Sequence, residues 1–555
     1  MKRILLLTSF LITLAASSQT VYEHISSKGI YHFLDELANN KIIELNSAVK
    51  PYARMFIAEK LKEASEQKDK LNKRQQRELR FYARGYTLEM DEHPETNATF
   101  DVFKKNKNLA TAINPFGILY KDSVFSFSLK PVWGIRYFFN DHGSVYHRWG
   151  GAEMYGYIGS NLSFYASLRD NNETEWLSRP DYLNRRQGVP VKGNPYGGVD
   201  YSEMRGGIFY TWQWGSAGLA KDHLSWGSNY HGANIFSGKQ PSFGQIQLNL
   251  KPTRWFEFHY FHGWLVSEVV DSSRSYWDND TYREVFHGKY IAANFYTFIP
   301  VKRLNLSFGN SIVYSDIGVQ AVYLIPFLFY KSVDHTLNST ANNTGQNSQM
   351  FFDISSRNLK HLHLYATAFI DEFKLDRLRH NDQHNFISWK CGFRLSDFPL
   401  QNLALTAEYT RTNPGTYQHY ISTTTYESNG YNMGHYLKAN SEEYYIGISF
   451  KPLRGLHFKT SWMLARHGND IQYTSNSRPQ NEPVLKDITW EDQTWSLSAT
   501  YEFTGNAYLF AELILSDIQG HDADGQTATY YLEKFTPELF WGQKTTASLG
   551  FNIGF

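Results

Sequence analysis

The sequence predicts an all-β transmembrane barrel of about eighteen antiparallel strands, preceded by a small N-terminal α-helical bundle. Three observations point there. The last residues, Thr545 to Phe555, place Ala547, Leu549, Phe551, Ile553 and Phe555 on one strand face. Thr546, Ser548, Gly550, Asn552 and Gly554 fall on the other. An apolar strand with a free edge invites aggregation, and closing the sheet into a barrel removes that edge. Second, segments of this period-two kind dominate from about Val124 onward. Third, the chain opens with Lys2 and Arg3 ahead of an apolar run, Ile4 to Ala16, and a small-residue stretch, Ala16-Ser17-Ser18. Residues 1–19 therefore read as a secretory signal peptide.

The bulk composition is compatible with this reading. No stretch approaches the length of a transmembrane helix. A mean hydropathy of −0.48 looks soluble, but lumen-facing residues and long loops dilute the lipid-facing half of a barrel. Aromatics reach 16%, with 38 Tyr, 39 Phe and 14 Trp. That excess suits aromatic girdles at two membrane interfaces and equally suits sugar-stacking platforms. The net charge of +1 argues against a nucleic-acid partner. Cys391 is the single cysteine, which excludes a disulfide framework and a thiolate metal cluster.

Residues 20–115 read as a periplasmic helical head and linker. Ile30, Phe33, Leu34, Leu37 and Ala38 recur at helical spacing. Pro51 opens a second helix with Met55, Ile57, Ala58 and Leu61, and Leu71, Leu79, Phe81 and Tyr82 mark a third. A bundle this small packs against the barrel rather than standing alone. Its charged surface reads as a solvated face or as a docking surface for a periplasmic partner.

Residues 116–555 read as the barrel. The pattern is sharpest in two segments. In one, Leu403, Leu405, Ala407 and Tyr409 alternate with Asn402, Ala404, Thr406 and Glu408. In the other, Leu362, Leu364, Ala366, Ala368 and Ile370 alternate with His361, His363, Tyr365 and Thr367. Long polar connections at about 171–200, 270–284, 331–349, 413–441 and 468–487 read as extracellular loops, outside the barrel or folded into its mouth as a plug. A final strand ending in Phe555 resembles the signal by which such barrels are inserted into the membrane by the barrel-assembly machinery.

Catalytic signatures are absent. There is no H-E-x-x-H helix, G-x-S-x-G elbow or phosphate-binding loop, and no cofactor or metal site is expected. Asp278-Asn279-Asp280 and Asp522-Ala523-Asp524-Gly525 lack the spacing of a calcium loop and read as turn acids. The segment that stands out runs from Met204 to Pro241. Within it Lys221, Asp222, His223 and Trp226 bring a cation, an acid, an imidazole and an indole close together. Sugar recognition needs planar donors and acceptors for hydroxyls and an aromatic face for the ring, and these residues supply both. A salt-bridged lumen network with Trp226 in the barrel wall accounts for them as well. As a strand, the segment puts Lys221, His223 and Ser225 on one face and Asp222, Leu224 and Trp226 on the other.

Three stretches resemble the Wzi family of outer-membrane capsule-assembly proteins. The head, GIYHFLDELANNKII followed by KPYARMFIAEKLKEA, looks like the family's helical start. The block RGGIFYTWQWGSAGLAKDHLSWGSNYHGANIFSGKQPSFGQIQLNL is similar to its most recognisable region. NSQMFFDISSRNLKHLHLYATAFIDEF and YNMGHYLKANSEEYYIGISF look like its second half. The resemblance implies an eighteen-stranded barrel, a periplasmic helical bundle and a non-enzymatic, lectin-like role in holding capsular or other surface polysaccharide. It carries no catalytic residues and no residue-level sugar contacts. The alternative reading is a channel or porin for small solutes, and the state of the lumen discriminates the two.

Overall fold

The computed structural model describes residues 19–90, 98–100, 108–113, 116–190, 198–337, 345–380, 382–474 and 476–555. The expected signal peptide lies outside the described residues except for Gln19.

A closed antiparallel barrel of 18 strands forms the wall. Its first strand, Phe125–Asn140, pairs with its last, Gly542–Ile553, through Trp133–Phe139 against Ala547–Ile553. The sheet thus has no free edge along that seam. The alternation works as the sequence implies. Ala404, Thr406, Glu408 and Thr410 are buried on the lumen side of Leu403–Thr412. Outward-facing Ile208, Leu219, Phe308, Phe352, Ile354, Ile446, Leu497, Leu509 and Leu549 are all exposed. Such a belt is stable only against hydrocarbon. Three strands escape a reading by alternation alone: Gly143–Ile158, Gly215–Asp222 and Asn347–Ser356. Their apolar alternation is interrupted: Arg148 and Gly150 break the outward face of the first, Gly215 and Lys221 bound that of the second, and in the third Phe351 points inward beside outward Phe352.

One end of the barrel has tight turns, with Arg303, Asn402 and Asn506 at positive φ of 66°, 67° and 57°. His361, also at φ 72°, belongs to such a turn and not to the lumen face of His363. The other end carries the long connections.

The head is three helices: α1, Lys28–Asn39; α2, Arg54–Glu66; and α3, Lys73–Gly85. Pro51 lies upstream of α2 rather than opening it, and α3 begins at an Asn72–Gln75 capping box. Phe33, Leu34, Leu37, Ile57, Leu61, Leu79 and Tyr82 form the head's own core. The linker half of 20–115 carries strand: Ala98–Phe100, Leu109–Ile113 and Phe116–Lys121 extend the sheet from the N-terminal half of Phe125–Asn140.

Beyond packing against the barrel, the head fills its tight-turn end. Arg357, which follows strand Asn347–Ser356, donates to Asp35 Oδ1 at 2.8 Å, Asn39 Oδ1 at 2.8 Å, the Leu45 carbonyl at 3.0 Å and Ser47 Oγ at 3.0 Å. Tyr82 donates to Glu502 at 2.7 Å, Lys451 to Glu36 at 3.2 Å and Gln75 to Asp397 at 2.8 Å. Val49–Lys50 pairs as strand with Ser225–Trp226 inside the barrel.

The connection after strand Leu304–Ser315 takes an unexpected path. Residues 316–337 fold outward, over the outer wall of strands Phe256–Leu265, Lys289–Val301 and Leu304–Ser315. Asn294 Nδ2 donates to the carbonyls of Pro326 and Leu328, both at 2.9 Å, and Tyr260 donates to the Tyr323 carbonyl at 2.9 Å. The Asn310 side chain accepts from Tyr330 N at 2.9 Å, and Phe327 stacks on Phe258 at 4.7 Å. Irregular backbone at membrane depth must have its polar groups satisfied by protein. Asn294 and Asn310, polar residues on an outer wall, do that here. Leu324, Ile325, Phe327 and Phe329 then form the new exposed surface. The expectation of an outer loop or mouth plug at 331–349 is corrected for its first part. Tyr330–Leu337 is helical, and 347–349 already belong to a wall strand. Residues 338–344 lie outside the described residues.

Phe555 does not continue the lipid face. Gly554, at φ 88°, turns the chain, and the Phe555 ring is buried 4.6 Å from the ring of His24 and 5.1 Å from the Arg205 guanidinium.

Candidate functional site

The segment singled out in the sequence lies at the centre of the barrel. Strand Gly215–Asp222 is short, so the connection 223–242 leaves the wall part-way up and crosses the lumen. The single-strand reading of this segment fails at Asp222. Lys221 faces outward from the wall, donating to the Met204 carbonyl at 2.7 Å and to Ser242 Oγ at 2.5 Å. Asp222 turns inward to Arg205 Nε at 2.9 Å and the Tyr165 hydroxyl at 2.6 Å. His223 does not share the face of Lys221. It too is buried, with Nε2 2.9 Å from Glu203 and a hydrogen bond to Gln187. The nearby His24 imidazole is held well below its usual pKa by burial and by Arg205, His223 and Arg169.

Trp226 is 2% exposed. Phe236, Phe261 and Phe295 surround it at ring separations of 5.2, 5.3 and 5.4 Å, and its backbone bonds to Phe236. Of the four residues, Asp222, His223 and Trp226 are buried in the interior, and Lys221 stands apart on the outer face of the wall. Asp222, His223 and Trp226 are thus closed off from solvent, and Lys221 alone is exposed. The salt-bridged lumen network is the arrangement found, although Trp226 packs within the lumen and not in the wall.

From there the connection bonds across the lumen. Ser228 N donates to Asp353 at 2.7 Å, and Tyr230 N and His231 N donate to Glu408 at 2.6 and 3.1 Å. Glu408 also pairs with Lys390 at 2.8 Å, both side chains being out of water. The His231 ring stacks on Tyr445 at 3.8 Å and places Nε2 3.0 Å from Glu443. Burial, with Arg185 nearby, pushes its pKa down to about 3, so the ring is neutral at neutral pH.

Two further connections lock onto this one from the long-loop end. Tyr417 donates to the Asn234 carbonyl at 2.6 Å, Tyr426 to the Ile235 carbonyl at 3.1 Å and Ser237 N to the Met433 carbonyl at 2.8 Å. Lys239 donates to the Tyr182 and Asn184 carbonyls at 2.7 and 2.5 Å. The lumen is therefore occupied from both ends, by the head below and by 174–190, 223–242 and 413–440 above, while Lys459, Ser461, Ser496, Ser498 and Glu512 on the lumen face of the wall keep partial exposure. Reading 221–226 as strand could not reveal this, because the crossing depends on partners far away in sequence.

The interior also holds a serine–histidine pair. Ser355 Oγ lies 2.8 Å from His363 Nε2, the separation of a nucleophile and its base. The other ring nitrogen, Nδ1, faces the Tyr230 hydroxyl at 2.8 Å and the Arg357 guanidinium at 3.2 Å, both donors. Nδ1 must then accept, so Nε2 carries the proton and cannot take one from Ser355. Ser355 is also fully buried. Among the described residues no group of three His, Cys, Asp or Glu could hold a metal. A concavity of about 620 Å³ lies on the outer wall between Phe308, Phe352 and Trp389, floored by Ala366, Ala368 and Cys391, and faces lipid.

No family model matches the chain, and no curated protein matches it. Among solved structures it resembles Wzi of Escherichia coli, described as an outer-membrane protein involved in group 1 capsule assembly and a carbohydrate-binding β-barrel. The two share 11% identity over 97% of this chain and 99% of that one, with a TM-score of 0.55. The chain therefore has a Wzi-like fold. OccD3 of Pseudomonas aeruginosa matches 77% of this chain and 91% of its own at 10% identity, with a TM-score of 0.41. OccAB2 of Acinetobacter baumannii matches 77% and 97% at 10% identity, with the same score.

Proposed function

We propose that this chain is a non-enzymatic outer-membrane barrel that binds exported polysaccharide and helps assemble or retain capsule at the cell surface. The observation that carries the reading is the lumen. A solute channel of eighteen strands needs an aqueous bore. Here much of that space is taken by the head and three interlocked connections that bond to one another across it. A barrel so filled presents its loops rather than a pore, which suits a surface receptor. The Wzi-like fold, extending over the head as well as the wall, supports the same reading. In this account residues 1–19 direct export, the head faces the periplasm, and the long connections face outward. Lipids surround the belt, and the barrel-assembly machinery inserts it.

The test is planar-bilayer conductance of the purified protein alongside a pull-down with surface polysaccharide from the producing strain. A non-conducting protein that retains polymer is the expected result. A steady pore indifferent to polymer would make it a channel.

A further inference from the structure

The exterior aromatic residues sort by position. Exposed Trp133, Trp264, Trp389 and Trp495 lie in wall strands, and Trp214 and Trp255 lie in tight turns. These are the places a membrane girdle requires. Trp277 is in neither. It is 70% exposed and stands on a small hairpin, Tyr276–Asp278 with Thr281–Arg283, within the long connection between Phe256–Leu265 and Lys289–Val301. Trp277 and Tyr282 are directly opposite in register, so both rings leave the same face, with centroids 5.4 Å apart. Tyr276 and Arg283 occupy the other face.

An isolated two-stranded hairpin is marginal in water and would be expected to collapse its aromatics. This one is held out by a stapled base. Asp271 accepts from Ser273 N at 2.9 Å and Ser273 Oγ at 2.5 Å, and pairs with Arg274. Val270 bridges Phe286, and Asp271 N bonds the Val285 carbonyl at 2.7 Å. His287 Nδ1 sits 2.7 Å from Asp316 in the neighbouring connection. The turn uses Asn279 at φ 52°, as a tight turn requires. The acids Asp278 and Asp280 thus serve the turn and its flank rather than a metal.

We infer that the Trp277–Tyr282 face is a stacking platform for uncharged pyranose rings of the exported polysaccharide. The inference rests on the proposed function. Two water-exposed rings side by side offer apolar area for the C–H faces of sugars. Asp280 in the turn and Glu284 and Arg274 near the base supply acceptors and a donor for hydroxyls, while Asp278 and Arg283 pair with each other on the opposite face. Together these groups carry a small net negative charge. That suits neutral sugar better than the phosphate-rich lipid surface beside it.

The test uses the full chain in nanodiscs and polysaccharide purified from the producing strain, read by biolayer interferometry. Trp277→Ala with Tyr282→Ala should weaken binding by about tenfold or more. Tyr276→Ala, on the opposite face, should leave affinity within about twofold. Thermal unfolding of each variant controls for folding, and polymer should shift Trp277 emission in the wild type. If the wild type binds saturably and the double variant binds equally, the platform is overturned while the function stands. If the wild type does not bind, both fall. If the double variant loses only its adsorption to lipopolysaccharide micelles, the hairpin is a lipid contact and the inference is overturned.

Discussion

Arg357→Met should release the head from the barrel. The guanidinium is 2% exposed and makes four hydrogen bonds to the head, to Asp35, Asn39, the Leu45 carbonyl and Ser47. The Asp35 side chain is 3% exposed, so removing its partner strands a carboxylate out of water. Breaking a buried pair from one side costs roughly 3–5 kcal/mol. The Leu45 carbonyl and the Asn39 amide oxygen lose donors too, each at roughly 1–3 kcal/mol if unrelieved. Partial rehydration at the barrel end would recover part of that sum, leaving a net loss of about 4 kcal/mol in docking. Hydrogen exchange in nanodiscs reads this directly. Amides of α1 to α3 should exchange about a thousandfold faster, while wall strands opposite Arg357 keep their protection. Asp35→Asn in the same background should recover part of the loss, because no charge then remains unpaired. Head protection unchanged to within about 1 kcal/mol would refute the reasoning, since it would mean the head is held without this anchor.

The remaining predictions concern pH, the aromatic plug and the outer flap. Burial raises the carboxyls of Glu23 and Glu36. Arg54 and Lys130 beside the first, and Lys451 and Arg74 beside the second, outweigh it and hold both at about 2, against an ordinary 4.5. Their folded values are depressed, so their contribution to head docking is complete above pH 4.5 and is lost as pH falls towards 2. Head protection measured against pH should decline over that window, and a decline centred near neutrality would contradict it. Trp226→Ala should cost roughly 3–5 kcal/mol, seen as a lowered thermal midpoint. The polymer affinity of the folded protein should stay within about twofold, because Trp226 is closed off from solvent. Asn294→Leu removes donors from the Pro326 and Leu328 carbonyls. Exchange within 316–337 should accelerate while the wall strands keep their protection, and an unchanged flap would show that apolar contacts alone hold it.

Most of the wall was legible in the sequence because alternation has a direct physical cause. Leu403–Thr412 must put Thr406 and Glu408 inward if Leu405 and Tyr409 are to meet lipid. The three helices were legible from Phe33, Leu37, Ile57, Leu61 and Leu79, whose spacing already describes the head's core. What alternation cannot encode is a connection's destination. Asp222 and His223 are neighbours that both turn inward, because a strand ends between them. Trp226 looked like a sugar contact by composition, and its burial follows from Phe236 in its own connection together with Phe261, Phe295 and the head strand, which are distant in sequence. Asn294 and Asn310 carried a usable signal, since polar side chains on an outward face need a partner in hydrocarbon. The partner, 316–337, could not be named from the sequence. Trp277 and Tyr282 carry no sequence signal of their own, because only the hairpin register about Asn279 brings the two rings to one face.

The account is tested most directly by titrating purified surface polysaccharide onto the full chain held in nanodiscs, with an unrelated dextran as control. Saturable binding of the native polymer, absent with dextran, is the predicted result. No binding beyond the dextran baseline, from protein whose head and loops are protected as described, would contradict the proposed function and leave a filled barrel with some other partner.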